Sequence, residues 1–256
     1  MLMRMVQLFT SFFENFNVIS LGIAVLFGAI WTACFRPPLF RKFWLWAIFP
    51  FGAVITFLAV AAVQRPVLTL IEHVVGSSGH GEQHSPALLS VIPMLLVSGL
   101  IQEGAKMVPA VTYWQMEKRK ISPVLGLQIG AVAGAGFGIL EAIWTFDALF
   151  ASGWTFELVQ INGPVELFIF WETLFIVAMN VTAGALSGYG LAKGWGWQFY
   201  LLASLVHVGL YVISFLIHAH VISHIYGDLV LTVYVEVIMV TLIIVGERTA
   251  KRDEED

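Results

Sequence analysis

Seven stretches of about 20 mostly apolar residues follow one another along the chain, the length an α-helix needs to cross roughly 30 Å of hydrocarbon. They run approximately from Phe16 to Phe35, Phe43 to Val63, Ala87 to Val111, Val124 to Phe150, Pro164 to Ala192, Trp197 to Ile217 and Leu229 to Gly246. Lipid offers a bare backbone no hydrogen bonds, so the pattern predicts an all-α, polytopic transmembrane helix bundle of about seven spans. Only 12% of the residues are charged, against about 25% in soluble domains. Residues 1–256 read as a single transmembrane domain, with residues 1 to 15 an interfacial lead-in rather than a removable signal peptide and residues 251–256 an acidic tail.

The basic residues set an expected orientation, because Lys and Arg near span ends are retained in the cytoplasm. Arg36, Arg41, Lys42, Lys118, Arg119, Lys120, Lys193, Arg248, Lys251 and Arg252 all fall on one side of a seven-span arrangement, ten of the thirteen basic residues. The N-terminus is therefore expected outside and the C-terminus in the cytoplasm. The net charge of -4 comes largely from Asp253, Glu254, Glu255 and Asp256, a solvated end that implies no nucleic-acid partner. A single cysteine, Cys34, excludes a disulfide within one chain.

Six of the seven histidines, His73, His80, His84, His218, His220 and His224, fall at or beyond the outer ends of spans. His80 and His84 are four apart, as are His220 and His224, a spacing that on a helix brings two imidazoles to one metal. Gly79 and Gly81 oppose a helix around the first pair, and HGEQH lacks the HExxH order of a zinc protease. No metal or cofactor is expected, and the outer histidines read as a solvated, pH-sensitive loop.

Charged groups at bilayer depth cost roughly 2.5 to 3.5 kcal/mol on insertion scales and usually face a protein interior or water. At 1.5 Å per residue, Glu103 lies roughly 13 Å from the cytoplasmic end of its span and His207 roughly 15 Å, with Asn180 near 20 Å and Glu141 near 25 Å, so the four are expected to line one cavity. Glu172 is expected nearer the outer surface and Glu166 at the interface. Lys106 follows Glu103 by three residues, close enough on a helix for an ion pair. Gly126, Gly130, Gly134 and Gly138 are four apart in span four, and Asn180, Gly184 and Gly188 repeat the spacing in span five. Small residues so placed allow helix backbones to approach closely in lipid, within the chain or against a helix-packing partner.

Four segments together resemble the PrsW/YhfC group of bacterial membrane proteins, within the glutamic intramembrane protease superfamily that includes the CAAX prenyl proteases. They are QEGAK (Gln102 to Lys106), GAGFGILEA (Gly134 to Ala142), WETLFIVAMNVTAGALSGYG (Trp171 to Gly190) and LVHVGLY (Leu205 to Tyr211), within a family-like core of about residues 87–214. The resemblance implies an endopeptidase of the bacterial or archaeal cell membrane, cleaving membrane-embedded or membrane-proximal polypeptides with a Glu-activated water. It implies Glu103 as general base, Glu141 as a second carboxylate, Asn180 and His207 as the polar pair at the developing oxyanion, and Lys106 tuning Glu103. The chain departs from the family pattern at Gln102, which stands where the first Glu of a pair belongs, and at Asn180, Ala142 and Phe137. Two alternatives stay open, a catalytically inactive scaffold or substrate-recognition subunit of the same superfamily and a small proton-coupled transporter.

Overall fold

A computed structural model describes residues 17–76 and 88–255. The lead-in before residue 17, the loop with His80 and His84, and Asp256 lie outside the described residues. Within them the protein is an all-α bundle without strands. Its helices are α1 (Val18–Cys34), α2 (Leu45–Ala59), α3 (Arg65–Gly76), α4 (Leu88–Met116), α5 (Pro123–Ala151), α6 (Phe156–Asn162), α7 (Phe168–Ala192), α8 (Gly196–His218) and α9 (His224–Glu255). Six helical segments of 23 to 29 residues are long and apolar enough to cross a membrane, whereas α1, with 17 residues, covers about 25 Å.

The second apolar window does not stop at Val63, where Arg65 and Pro66 suggest an end. A π-helical turn, Val60–Gln64, joins α2 to α3, so one helical rod continues to Gly76. The wider turn gives Arg65 N–H the Val60 carbonyl five residues back and carries the chain past Pro66, which has no N–H to donate. It also turns Gln64 into the protein interior.

Local chemistry fixes the other boundaries. Ser122 caps α5, its hydroxyl accepting from Leu125 N–H at 3.2 Å, with Pro123 in the first turn where a missing N–H costs nothing. Gly194, at φ +81°, supplies the left-handed residue that turns α7 back into α8 within three residues. Asn17 N–H donates to Asp147 Oδ1 at 3.1 Å, tying the start of α1 to the far end of α5 and placing a carboxylate at a helix N-terminus.

Helices α5 and α7 form the centre, with 67% and 61% of their apolar windows buried against a third or less elsewhere. Their contact is backbone on backbone. A Cβ built on Gly130 would lie 2.0 Å from Gly184 O, one on Gly134 2.0 Å from Asn180 O, and one on Gly188 2.1 Å from Gly126 O. The opposite edge of α5 repeats this with α2, where a Cβ on Gly136 would meet Phe49 O at 2.0 Å. The glycine seam is thus filled within the chain, α7 occupying the face that the spacing leaves open to a partner. Around it α9 turns Leu229, Val233, Val237, Val240 and Ile244 outward, side chains suited to hydrocarbon.

Candidate functional site

The close α5–α7 approach sets the position of the polar residues. Asn180 shares its turn of α7 with the backbone that meets Gly134, and Glu141, two turns beyond Gly134 on α5, reaches Asn180 from the same side. Asn180 Nδ2 donates to Glu141 Oε2 at 2.7 Å and to Ile176 O at 3.0 Å, while Asn180 Oδ1 accepts from Lys106 Nζ at 2.8 Å. Lys106 on α4 also pairs with Glu103 Oε1 one turn earlier and lies 3.2 Å from His207 Nδ1 on α8. His207 Nδ1 faces Glu103 Oε1 directly. Four helices therefore bring Glu103, Lys106, Glu141, Asn180 and His207 into one continuous network.

The free valences of this network are few and specific. Three polar neighbours surround Lys106 Nζ, matching its three protons. Both protons of the Asn180 amide are engaged, so it relays between the ammonium and Glu141 with no donor to spare. Glu103 Oε2 and His207 Nε2 are buried and have no hydrogen-bond partner among the described residues. Glu103, Lys106, Asn180 and His207 are 0% exposed, and Glu141 is half-buried. The Phe137 ring lies 5.8 Å from Lys106 Nζ, at the edge of cation–π range, and Ala142 is buried against α1.

A second polar chain adjoins the first and was not foreseen from the sequence. Tyr211 Oη donates to Gln102 Oε1 at 2.9 Å, Gln102 Nε2 to Gln64 Oε1 at 3.0 Å, and Gln64 Nε2 to Ser98 Oγ at 3.0 Å. The Tyr211 ring stands 4.5 Å from that of His207, so this chain braces the imidazole from behind. Gln102 uses both ends of its amide here, and a carboxylate in its place would offer Gln64 no proton. The spacings His207–Tyr211 and Ser98–Gln102, both i,i+4, hold this signal. The π turn that delivers Gln64 hides the rest.

Glu172 lies two turns nearer the other end of α7, 6% exposed, accepting from Ser214 Oγ at 2.5 Å. Glu166 sits in the short 3-10 turn Pro164–Leu167 and accepts from Asn162 Nδ2 at 2.8 Å. Of the outer histidines, His218 Nε2 lies 3.9 Å from Glu172 Oε2, and the His220 and His224 rings are 6.3 Å apart. Among the described residues no three His, Cys, Asp or Glu side chains are placed to share a metal ion. No family model, curated protein or solved structure matches the chain.

Proposed function

We propose that the protein is a glutamic-type intramembrane endopeptidase of the cell membrane, with Glu103 as general base. The observation that carries the proposal is the convergence of Glu103, Lys106, Glu141, Asn180 and His207 from four helices onto one buried network that leaves Glu103 Oε2 and His207 Nε2 uncommitted. The motif resemblance to the PrsW/YhfC group supports the same reading. Its topology would be seven spans, α1 included, with the N-terminus outside, as the one-sided basic residues favour.

In this proposal Oε2 of Glu103 takes a proton from water as the water oxygen attacks a peptide carbonyl carbon. Lys106 donates to Oε1 and so aims the free oxygen. His207 Nε2–H is the available donor to the developing oxyanion. Collapse breaks the C–N bond, and the proton held by Glu103 passes to the leaving amine. Asn180 is a positioning residue, because its amide protons are already used, and Glu141 anchors the far side of that amide. Substrates would be membrane-spanning or membrane-proximal polypeptides.

The test is co-expression with a library of single-span membrane polypeptides that carry a terminal reporter. Cleavage by the native chain, lost in Glu103→Gln at unchanged protein level, is the expected result. Cleavage that survives Glu103→Gln would reject Glu103 as the base.

A second reading, a non-catalytic scaffold, has its own support in the complete burial of Glu103, Lys106 and His207 and in the saturation of the Lys106 ammonium. A defined partner that co-purifies equally with the native chain and Glu103→Gln, without cleavage in either, would favour it.

A further inference from the structure

A buried hydrolytic centre needs a supply of water and an exchange of protons, and the α8 face that carries His207 continues toward the histidine-bearing end of the bundle. His207, Tyr211, Ser214 and His218 are spaced four, three and four residues apart, which confines them to about 60° of the helix surface over about 16 Å. At the far end the His218 side chain is 60% exposed, with Nδ1 2.9 Å from Ser214 O and Nε2 turned toward Glu172. Ser214 donates to Glu172, and Tyr211 stands against the His207 ring at the near end. Polar groups thus recur every three or four residues along α8 from its histidine-bearing end to the Glu103–His207 pair.

The second observation is on α9. Asp228 is 4% exposed, and neither carboxylate oxygen has a hydrogen-bond partner among the described residues. The ionisable groups that act on it are Glu172 on α7, His218 on α8 and His224 on its own helix. A buried carboxylate without donors is expensive, and ordered water or a shared proton is the usual remedy. Two buried acids on two helices, beside two imidazoles, stand where helices of lipid-facing type would carry Leu or Val.

We propose that Glu172, Asp228, His218 and His224 form the mouth of a water and proton access route that descends the Ser214–Tyr211 face of α8 to the Glu103–His207 pair. The proposal rests on the hydrolytic reading for its purpose, but the route is a physical property that is measured without any substrate. Tyr211 is the last group before the imidazole and Ser214 the group beneath the mouth. On the outward surface of α9 the apolar reference is Val233, 51% exposed and one turn from the exposed Glu236.

The lone cysteine makes the test direct, since Cys34→Ser removes every native thiol. In that background His218→Cys, Ser214→Cys, Tyr211→Cys and Val233→Cys are treated, in membranes made permeable on both sides, with a charged methanethiosulfonate that reacts with thiolate in water. Modification is expected to slow from position 218 to 214 to 211, with Tyr211→Cys still at least ten-fold faster than Val233→Cys. Reaction at 218 alone, with 214 and 211 as slow as 233, would overturn the route. Should Tyr211→Cys not accumulate as folded protein, Ser214→Cys against Val233→Cys decides on the same ten-fold criterion. A closed route leaves the Glu103→Gln cleavage result untouched, and loss of cleavage leaves the thiol rates untouched, so the two proposals fail separately.

Discussion

The α5–α7 seam and the α4–α8 cluster meet at Asn180, yet they hold helices together by opposite means. In the seam, glycines remove side chains so that backbone carbonyls touch backbone, and the energy is van der Waals contact in a medium where apolar burial drives nothing. In the cluster, the side chains of Glu103, Lys106 and His207 fill the space between helices, and each charge is tolerable only because its partners are present. The seam fixes distance with no chemistry, whereas the cluster carries chemistry that the seam keeps in place. Asn180 belongs to both, its carbonyl against Gly134 and its amide between Lys106 and Glu141.

That difference predicts unequal sensitivities. Gly134→Leu should have the largest effect, because a side chain 2.0 Å from a backbone oxygen cannot be absorbed by a rotamer change. Loss of the folded chain is expected, beyond the usual overpacking cost of about 1–3 kcal/mol, as aggregation on size-exclusion chromatography in mild detergent. Lys106→Met should come next, costing about 3–5 kcal/mol in thermal unfolding by stranding the Glu103 charge, and Glu103→Gln in the same chain should recover most of that loss. A Lys106→Met chain as stable as the native one would mean that the cluster is not electrostatically closed. Gln64→Leu should cost about 1–3 kcal/mol by leaving Gln102 Nε2 without its acceptor and Ser98 Oγ without its donor. Arg36→Ala, which removes an exposed pair with Glu247 at 3.4 Å, should change stability by less than about 1 kcal/mol.

The seam was legible because a four-residue glycine repeat has one physical meaning on a helix in lipid. The Glu103–Lys106 pair was legible from its i,i+3 spacing, and the shared layer of Glu103 and His207 from counting rises along the windows, a count that set Asn180 and Glu141 about one and two turns away. Gln64 was hidden because a π turn shifts helical register in a way no residue pattern announces, and because Arg65 and Pro66 resemble a helix end. Asp228 was hidden for a different reason. It stands one residue before the last apolar window, where an acid reads as a flanking group, and only packing against α7 and α8 buries it. The spare valences of Glu103 and His207 depend on three-dimensional bookkeeping of donors, which spacing does not contain.

Asn180 is where the two regions join, so the most direct measurement is a double-mutant cycle in thermal unfolding between Lys106→Met and Asn180→Leu. Membership of one network predicts a coupling of about 1 kcal/mol or more, since each change removes the other's partner. Additive losses, with coupling below about 0.5 kcal/mol, would mean that Lys106 and Asn180 do not share a network, and would contradict the site as described.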